Sequence, residues 1–544
     1  MRASVTYPFS LLPTQPYGPW FWDAFHRFSV AVFCTRLLLL SLVAFATPTI
    51  AASKSDFPPA PGFPLGLDWL NVTEPLTLED LTGKVVILDF WTYGCINCIH
   101  VMEELAALKK RFGHKLVVVG VHSPKFDNER NLATLRSILI RYNRTEPVVN
   151  DPDKQIMRLY GARAWPTLAV IDQLGGYVGK VSGEGNEVRL TRAIETLLEI
   201  YADQVDERPI DLVADELSAP NQWFAAPEKI AATANRVAVS DTLLHRVLVT
   251  DSDGHVLYRV GGPTPGYKDG TLAEARFQAP RGLAFTASGD MIVADSGNHA
   301  LRRVDFNAGT VSTIAGTGRR GLRDVRSKKP LELDLRSPWD LAIDGQNLYV
   351  AMAGEHQIWR MDLANNEIAP YAGSGREGIA DGQLKRATFS QPSGLALEAR
   401  TLFVTDAEAS AIRAIDLDRG QVTTLIGTGL FDFGDQDGDL GNAQLQHATG
   451  IAIVEPGQLM VADTYNHKIK RLNLRNRTIS TILGTGQPGN SSIPGGLNML
   501  NEPSGLTIVG QRALIADTNN SRLLSLDLQS GDVHPWIPYS NTDP

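Results

Sequence analysis

The chain has 544 residues, of which 43% are hydrophobic and 20% charged, and its formal net charge is −9. This length exceeds what one hydrophobic core organises, so about two to four domains are expected. The acidic balance leaves no basic field to track phosphates, which argues against nucleic acid as a partner. Three cysteines are too few for a disulfide scaffold.

In chain order, the first signal is a basic flank (Arg27, Arg36) before the apolar run LLLLSLVAFA, Leu37 to Ala46, and the small-residue stretch TPTIAAS, Thr47 to Ser53. Basic flank, short apolar core and small-residue exit form an export pattern. Residues 1–53 are therefore expected to be an export signal. The rival is an N-terminal membrane anchor over Phe28 to Ala46, in which Arg36 would be costly at mid-bilayer. Either reading places the remainder outside the cytoplasm, periplasmic or secreted and possibly membrane-attached. Cys34 lacks a small residue just before it and is not read as a lipid attachment site.

From 57 to 203 strands and helices alternate. KVVILDFW (Lys84 to Trp91) and KLVVVGVH (Lys115 to His122) are continuous apolar runs rich in β-branched residues, and read as buried strands. IHVMEELAALKKRF places Val101, Leu105, Ala106 and Leu108 at helical spacing. A polar helical stretch is expected over Asn128 to Tyr142, then a short strand in PVVND and a short helix ending at Gly161. PTLAVID, Pro166 to Asp172, reads as a strand and EVRLTRAIETLLEIY as a closing amphipathic helix. The alternation predicts an α/β unit.

Cys95 and Cys98 fall where the first buried strand ends and a helix begins. Free amides at a helix start favour the first sulfur as thiolate, the attacking species in thiol–disulfide exchange. Two intervening residues let the second sulfur reach back within one turn. Two other readings stand beside this one. Half a zinc site would need further ligands, and His100, His114 and His122 show no ligand spacing, so no metal is expected. A structural disulfide that never turns over is the other, given an oxidising compartment.

The run of strand, FW, CxxC at a helix start and a distant RAWPT resembles the thioredoxin fold. The resemblance implies that Asp89, six residues before Cys95, is a buried acid assisting Cys98; a satisfied carboxylate without a catalytic part is the alternative. It implies that Pro166 is a cis-proline lying against the disulfide, and that Trp165, Pro166 and Thr167 shape the substrate groove. The insertion between Lys115 and Pro166 resembles that of the membrane-linked extracytoplasmic thioredoxins and of the peroxiredoxins. A peroxidase is not expected, because the Pro-x-x-x-Thr-x-x-Cys loop is missing. Two positions depart from the family pattern: Gly94 stands where a tryptophan is usual, and the inner dipeptide is Ile96–Asn97.

From about Pro220 the texture changes to a repeat. An apolar strand after Pro or Gly is followed by a second that ends in Asp241, Asp295, Met352, Asp406, Asp463 or Asp517, at successive spacings of 54, 57, 54, 57 and 54. Six copies with about four short strands each predict an all-β six-bladed propeller. VADSGNHALRRVD, with Asp295, Asn298 and His299, resembles the NHL repeat. The recurring His245, His299, His356 and His467 are expected to serve blade packing, since copies four and six carry Ser410 and Ser521. DQDGD, Asp435 to Asp439, lacks the glutamate that closes a calcium loop. It reads as turn chemistry, like Asp269 and Asp381 in the related turns. Closure is expected to pair the strand near Val533 with chain near Pro220.

The expected organisation is therefore 1–53 signal or anchor, 57–203 α/β thioredoxin-like domain, 204–222 connector and 223–544 six-bladed NHL-repeat propeller. This order of parts resembles the NHL-repeat-containing thioredoxin-like proteins. It implies an exported thiol–disulfide oxidoreductase with no cofactor, in which Cys95 attacks, Cys98 resolves and Asp89 assists. The expected partners are protein thiols or disulfides and a redox partner protein, held by the propeller. The alternative is a non-catalytic scaffold with a static CxxC disulfide and a propeller interaction face. A propeller hydrolase or lyase would need an axial cluster of metal ligands, for which the sequence offers only the scattered histidines.

Overall fold

The protein is described from a computed structural model over residues 54–213, 223–321, 329–491 and 498–540. The expected signal or anchor, Cys34 and the connector from 214 onward lie outside the described residues. Among the described residues no helix is long and apolar enough to cross a membrane.

The first unit is built on the strands β1 (Trp69–Leu70), β2 (Val85–Trp91), β3 (Leu116–His122), β4 (Val148–Asn150), β5 (Thr167–Ile171) and β6 (Tyr177–Ser182). Their order in the sheet is β1-β4-β3-β2-β5-β6, with β2, β3 and β4 parallel and β5 antiparallel to β2. Every residue of β2 and β3 is buried, because both faces of the sheet are covered. Alternation sends Val86, Leu88 and Phe90 to one core with Val117, Val119 and Val121. Val85 and Ile87 go to the other face, against the helices α1 (Ile96–Phe112) and α4 (Glu187–Ile200) through Val101, Leu105, Leu190 and Ile194.

Two local outcomes refine the sequence reading. The polar stretch from Asn128 opens as a single 3-10 turn, and α2 (Leu132–Arg141) starts only at Leu132. Asn131 sets that start, because its side chain accepts from the amides of Ala133 and Thr134. The half-exposed strand β6 had no clear apolar alternation to announce it. A short helix, α3 (Gln155–Leu159), completes the unit.

Among the described residues, the second unit is a ring of six antiparallel four-stranded sheets, three of them extended by a two-residue edge strand. The innermost strands, Pro227–Ala232, Pro280–Phe285, Pro338–Asp344, Pro392–Glu398, Gly450–Glu455 and Pro503–Val509, line the axis. The repeated aspartates hold the loop ends of five blades. Asp295 accepts from the Gln278 amide at 2.8 Å, from Asn298 at 2.8 Å and from Arg302 at 2.8 Å. Asp463 does the same with Gln446, Asn466 and Lys470. In the third blade Met352 packs beside Trp359, which stands where the other blade has Arg302, so the ion pair is replaced whole by apolar contact.

The repeat histidines join one blade to the next. The Nδ1 atoms of His245, His299, His356 and His467 accept the backbone N–H of Ala279, Ser337, Gln391 and Glu502 at 3.2, 3.1, 3.2 and 3.1 Å. Ser410 does so through its hydroxyl for His447. Asp435, Asp269 and Asp381 pair with Lys470, Arg302 and Arg413. Closure differs from expectation. Val533–Trp536 pairs with Leu523 to Leu526 of its own blade, so each blade is a complete sheet. The ends meet instead through Tyr539, whose backbone bonds Gly254 and Val256, and through Trp536 packed with Trp223 and Phe224.

Candidate functional site

β2 delivers Asp89 to the sheet centre and ends at Trp91; the loop Thr92-Tyr93-Gly94 then leads into Cys95, the N-cap of α1. Both cysteines are free thiols. The Cys95 Sγ accepts the Cys98 amide at 3.4 Å, so the first sulfur already faces the free donors of the helix start. Cys98 is 0% exposed and Cys95 8%. Burial pushes the Cys98 thiol well up, and Cys95 and the Asp89 carboxylate push the same way.

Asp89 is wholly buried. Burial raises its carboxyl to about 6 against the pull of Arg144, whose Nη2 lies 2.9 Å from Oδ2. Arg144 also lies over the Trp91 ring and pairs with Glu146. Asp89 Oδ1 has no hydrogen-bond partner among the described residues. The Trp165–Pro166 peptide is cis. Trp165 packs against the apolar cluster that holds both cysteines, and Lys154 lies over its ring. The structure thus gathers Asp89, Cys95, Cys98 and Trp165. The Thr167 hydroxyl is spent inside the unit, on the Ala164 carbonyl at 2.7 Å and Ser182 at 2.8 Å.

Sequence reasoning missed Glu129. Its carboxylate accepts from the Thr92 hydroxyl, from the Gly94 amide at 3.0 Å and from the amides of Lys125 and Phe126. It therefore braces the loop just before Cys95. Burial raises it to about 7.

The propeller lies over this loop. Gln391 bonds Gly94 and Ile96, one on each side of Cys95. Tyr93 donates to Glu502 at 3.1 Å, and Asn128 donates to the same carboxylate at 2.7 Å. His447 stacks on Tyr465, and both approach Gly94: a Cβ there would lie 3.1 Å from His447 Cε1 and 3.2 Å from the Tyr465 hydroxyl. The departure at Gly94 was the one sequence signal of this approach. Around it runs a charged seam. Arg320 reaches Glu104 at 2.7 Å and Glu184 at 2.8 Å, Arg336 also pairs with Glu184, and buried Lys125 meets Glu408 at 2.8 Å.

His100 is part of this seam, bridging Glu184 at 2.7 Å and Ser337 at 2.8 Å. His122 bonds Asn150 and is pushed down to about 4 by burial. Between the units a cavity of ≈ 50 Å³ is lined by Tyr93, Gly94, Gln391, Tyr465 and Glu502. Its volume suits a few waters among polar walls. Among the described residues no group of three or more His, Cys, Asp or Glu side chains is placed to hold a metal ion.

Residues 83–178 match a protein-family profile described as "Thioredoxin-like". The chain is 39% identical over 515 residues to "NHL repeat-containing protein 2" of Bos taurus, covering 87% of this chain and 70% of that protein. It is 38% identical over 510 residues to "Protein SUPPRESSOR OF QUENCHING 1, chloroplastic" of Arabidopsis thaliana, covering 88% of this chain and 48% of that protein. A more distant similarity, 28% over 123 residues, is to "Thiol-disulfide oxidoreductase ResA" of Geobacillus kaustophilus, covering 22% of this chain and 67% of that protein.

Proposed function

The chain belongs to the NHL repeat-containing protein 2 family, and we propose that its Cys95–Cys98 pair carries out thiol–disulfide exchange on a protein partner outside the cytoplasm. The Cys95 thiolate attacks one sulfur of the partner disulfide, and the partner's other sulfur leaves as a thiol after taking a proton. Cys98 then gives up its proton, attacks the Cys95 sulfur and releases the partner's second thiol. The partner gains two electrons and the CxxC pair becomes a disulfide; the reverse sequence oxidises a partner. Asp89, mostly ionised near neutrality, accepts the Cys98 proton. Trp165 and Pro166 form the groove wall for the partner chain, and the propeller holds the partner.

The observation that carries this reading is the Cys95 sulfur at the helix start, bonded to the Cys98 amide, with Asp89 Oδ1, unpartnered among the described residues, in the same buried layer. The similarity to a protein named as a thiol–disulfide oxidoreductase supports it. The test is the reduction potential of the pair in the full chain, by equilibration against glutathione with alkylation and mass readout. A potential above roughly −250 mV is expected of an exchange catalyst.

A second reading, a binding scaffold with a static disulfide, is favoured by one observation: both thiols are buried, Cys98 0% and Cys95 8% exposed. A potential below roughly −300 mV, or thiols that alkylate only after unfolding, would establish the scaffold instead.

A further inference from the structure

Gln391 stands just before the inner strand of the fourth blade, on the face that meets the α/β unit. Its backbone is fixed first. It holds a left-handed conformation, φ +65°, with its N–H accepted by His356 Nδ1 at 3.2 Å and its carbonyl taken by the Ser393 hydroxyl at 2.8 Å. The side chain is buried. From this base the carboxamide reaches into the other unit. Nε2 donates to the Gly94 carbonyl at 2.8 Å, and Oε1 accepts the Ile96 amide at 2.8 Å. These two backbone groups flank Cys95.

The second bond bears on the sulfur. The Ile96 amide is the first free N–H of α1 and contributes to the partial positive charge that favours a thiolate at Cys95. A carbonyl oxygen seated on that amide brings partial negative charge beside the same sulfur. We infer that Gln391 is a positioning residue of the dithiol site, through which the docked propeller clamps the Cys95 backbone and disfavours its thiolate. Coupling of this kind is reciprocal. Docking lowers the thiolate fraction, and thiolate formation weakens docking by the same factor. A partner that draws the propeller aside therefore also activates the nucleophile.

This inference rests on the reading of Cys95 as the attacking sulfur, so its test reads the thiol and not turnover. In reduced full-length protein, Cys95 alkylation by iodoacetamide is followed against pH, with the adduct localised by peptide fragmentation. Gln391→Ala is expected to lower the midpoint by about half a pH unit or more, because a helix-start amide is freed. Gln391→Met, which fills the space without polar atoms, is expected to do the same and serves where alanine impairs folding. Gln391→Glu keeps an acceptor at Ile96 and is expected to leave the midpoint at or above that of the wild type. A merely structural role would move all three variants in one direction. That result, or an unchanged midpoint in both apolar variants, overturns the inference alone. A Cys95 that reacts in no variant before unfolding defeats it together with the exchange reading.

Discussion

Gly94 sets how closely the two units can approach. A Cβ there would meet His447 Cε1 at 3.1 Å, Glu129 Oε1 at 3.2 Å and the Tyr465 hydroxyl at 3.2 Å, all tighter than ordinary contact. Gly94→Ala is expected to cost about 1–3 kcal/mol in urea unfolding, the range of small overpacking changes. Gly94→Trp has no space against the docked propeller, and is expected to separate the faces and speed native-state alkylation of Cys95; an unchanged rate would show that the contact yields. His447 carries a separate pH signature. Burial, with Lys125 nearby, pushes its imidazole down to about 3, and Glu408 is its closest carboxylate. An unfolded histidine titrates near 6.5. Since the folded value is depressed, the neutral ring's contribution is complete above about 6.5 and is lost as pH falls below that. Between pH 6.5 and 5, unfolding free energies from urea titration are expected to shift by about 2 kcal/mol in favour of His447→Gln relative to the wild type. A constant gap would mean that the ring becomes protonated in place.

At the scale of elements, the repeat was legible because each blade needs the same parts at the same spacing. A buried aspartate binds the loop amide and a cation on the next strand neutralises it, seven residues on in Asp295 with Arg302, Asp406 with Arg413 and Asp463 with Lys470, and five on in Asp241 with Arg246 and Asp517 with Arg522. The third blade shows that the set changes together, since Met352 and Trp359 replace both partners. Asp295→Ala is therefore expected to cost about 1–3 kcal/mol, because it strips the Gln278 amide and Asn298 of their acceptor and leaves the fully buried Arg302 with Asp269 as its remaining carboxylate. Met352→Asp is expected to be comparably destabilising, since no cation waits at 359; a neutral result in urea unfolding would refute this account of the blade. In the α/β unit the buried strands and the CxxC helix were legible from apolar runs and periodicity. β6 was not, because its burial is partial and its pattern mixed. Glu129 was not, because its role lies in loop amides that no side-chain pattern records. Gln391 was beyond reach, bonding Ile96 across 295 residues.

The whole molecule answers a question that neither half poses alone. The sequence separates into two familiar parts, yet the propeller's loop face packs on the loop before Cys95 and on the first turns of α1, and left-handed residues at equivalent blade positions make the contacts: Ser337, Gln391, His447 and Glu502. Such contacts join residues hundreds of positions apart, and neither periodicity nor local motif encodes them. The seam is closed by charge as well. Glu184 gathers His100, Arg320 and Arg336, and although burial opposes it, His100 and Arg336 hold its carboxyl below the usual range. Because that value is depressed, the contribution of Glu184 to docking is full above the ordinary carboxylate pKa and fades only in stronger acid. Glu184→Gln should thus loosen docking at pH 7 without touching either cysteine. A loss of about 1.4 kcal/mol would raise the separated population tenfold. Cys95 alkylation in the native protein should rise by the same factor, since its rate follows that population while reclosing is fast. An unchanged rate, with the propeller still folded, would mean that docking does not control access to the thiol.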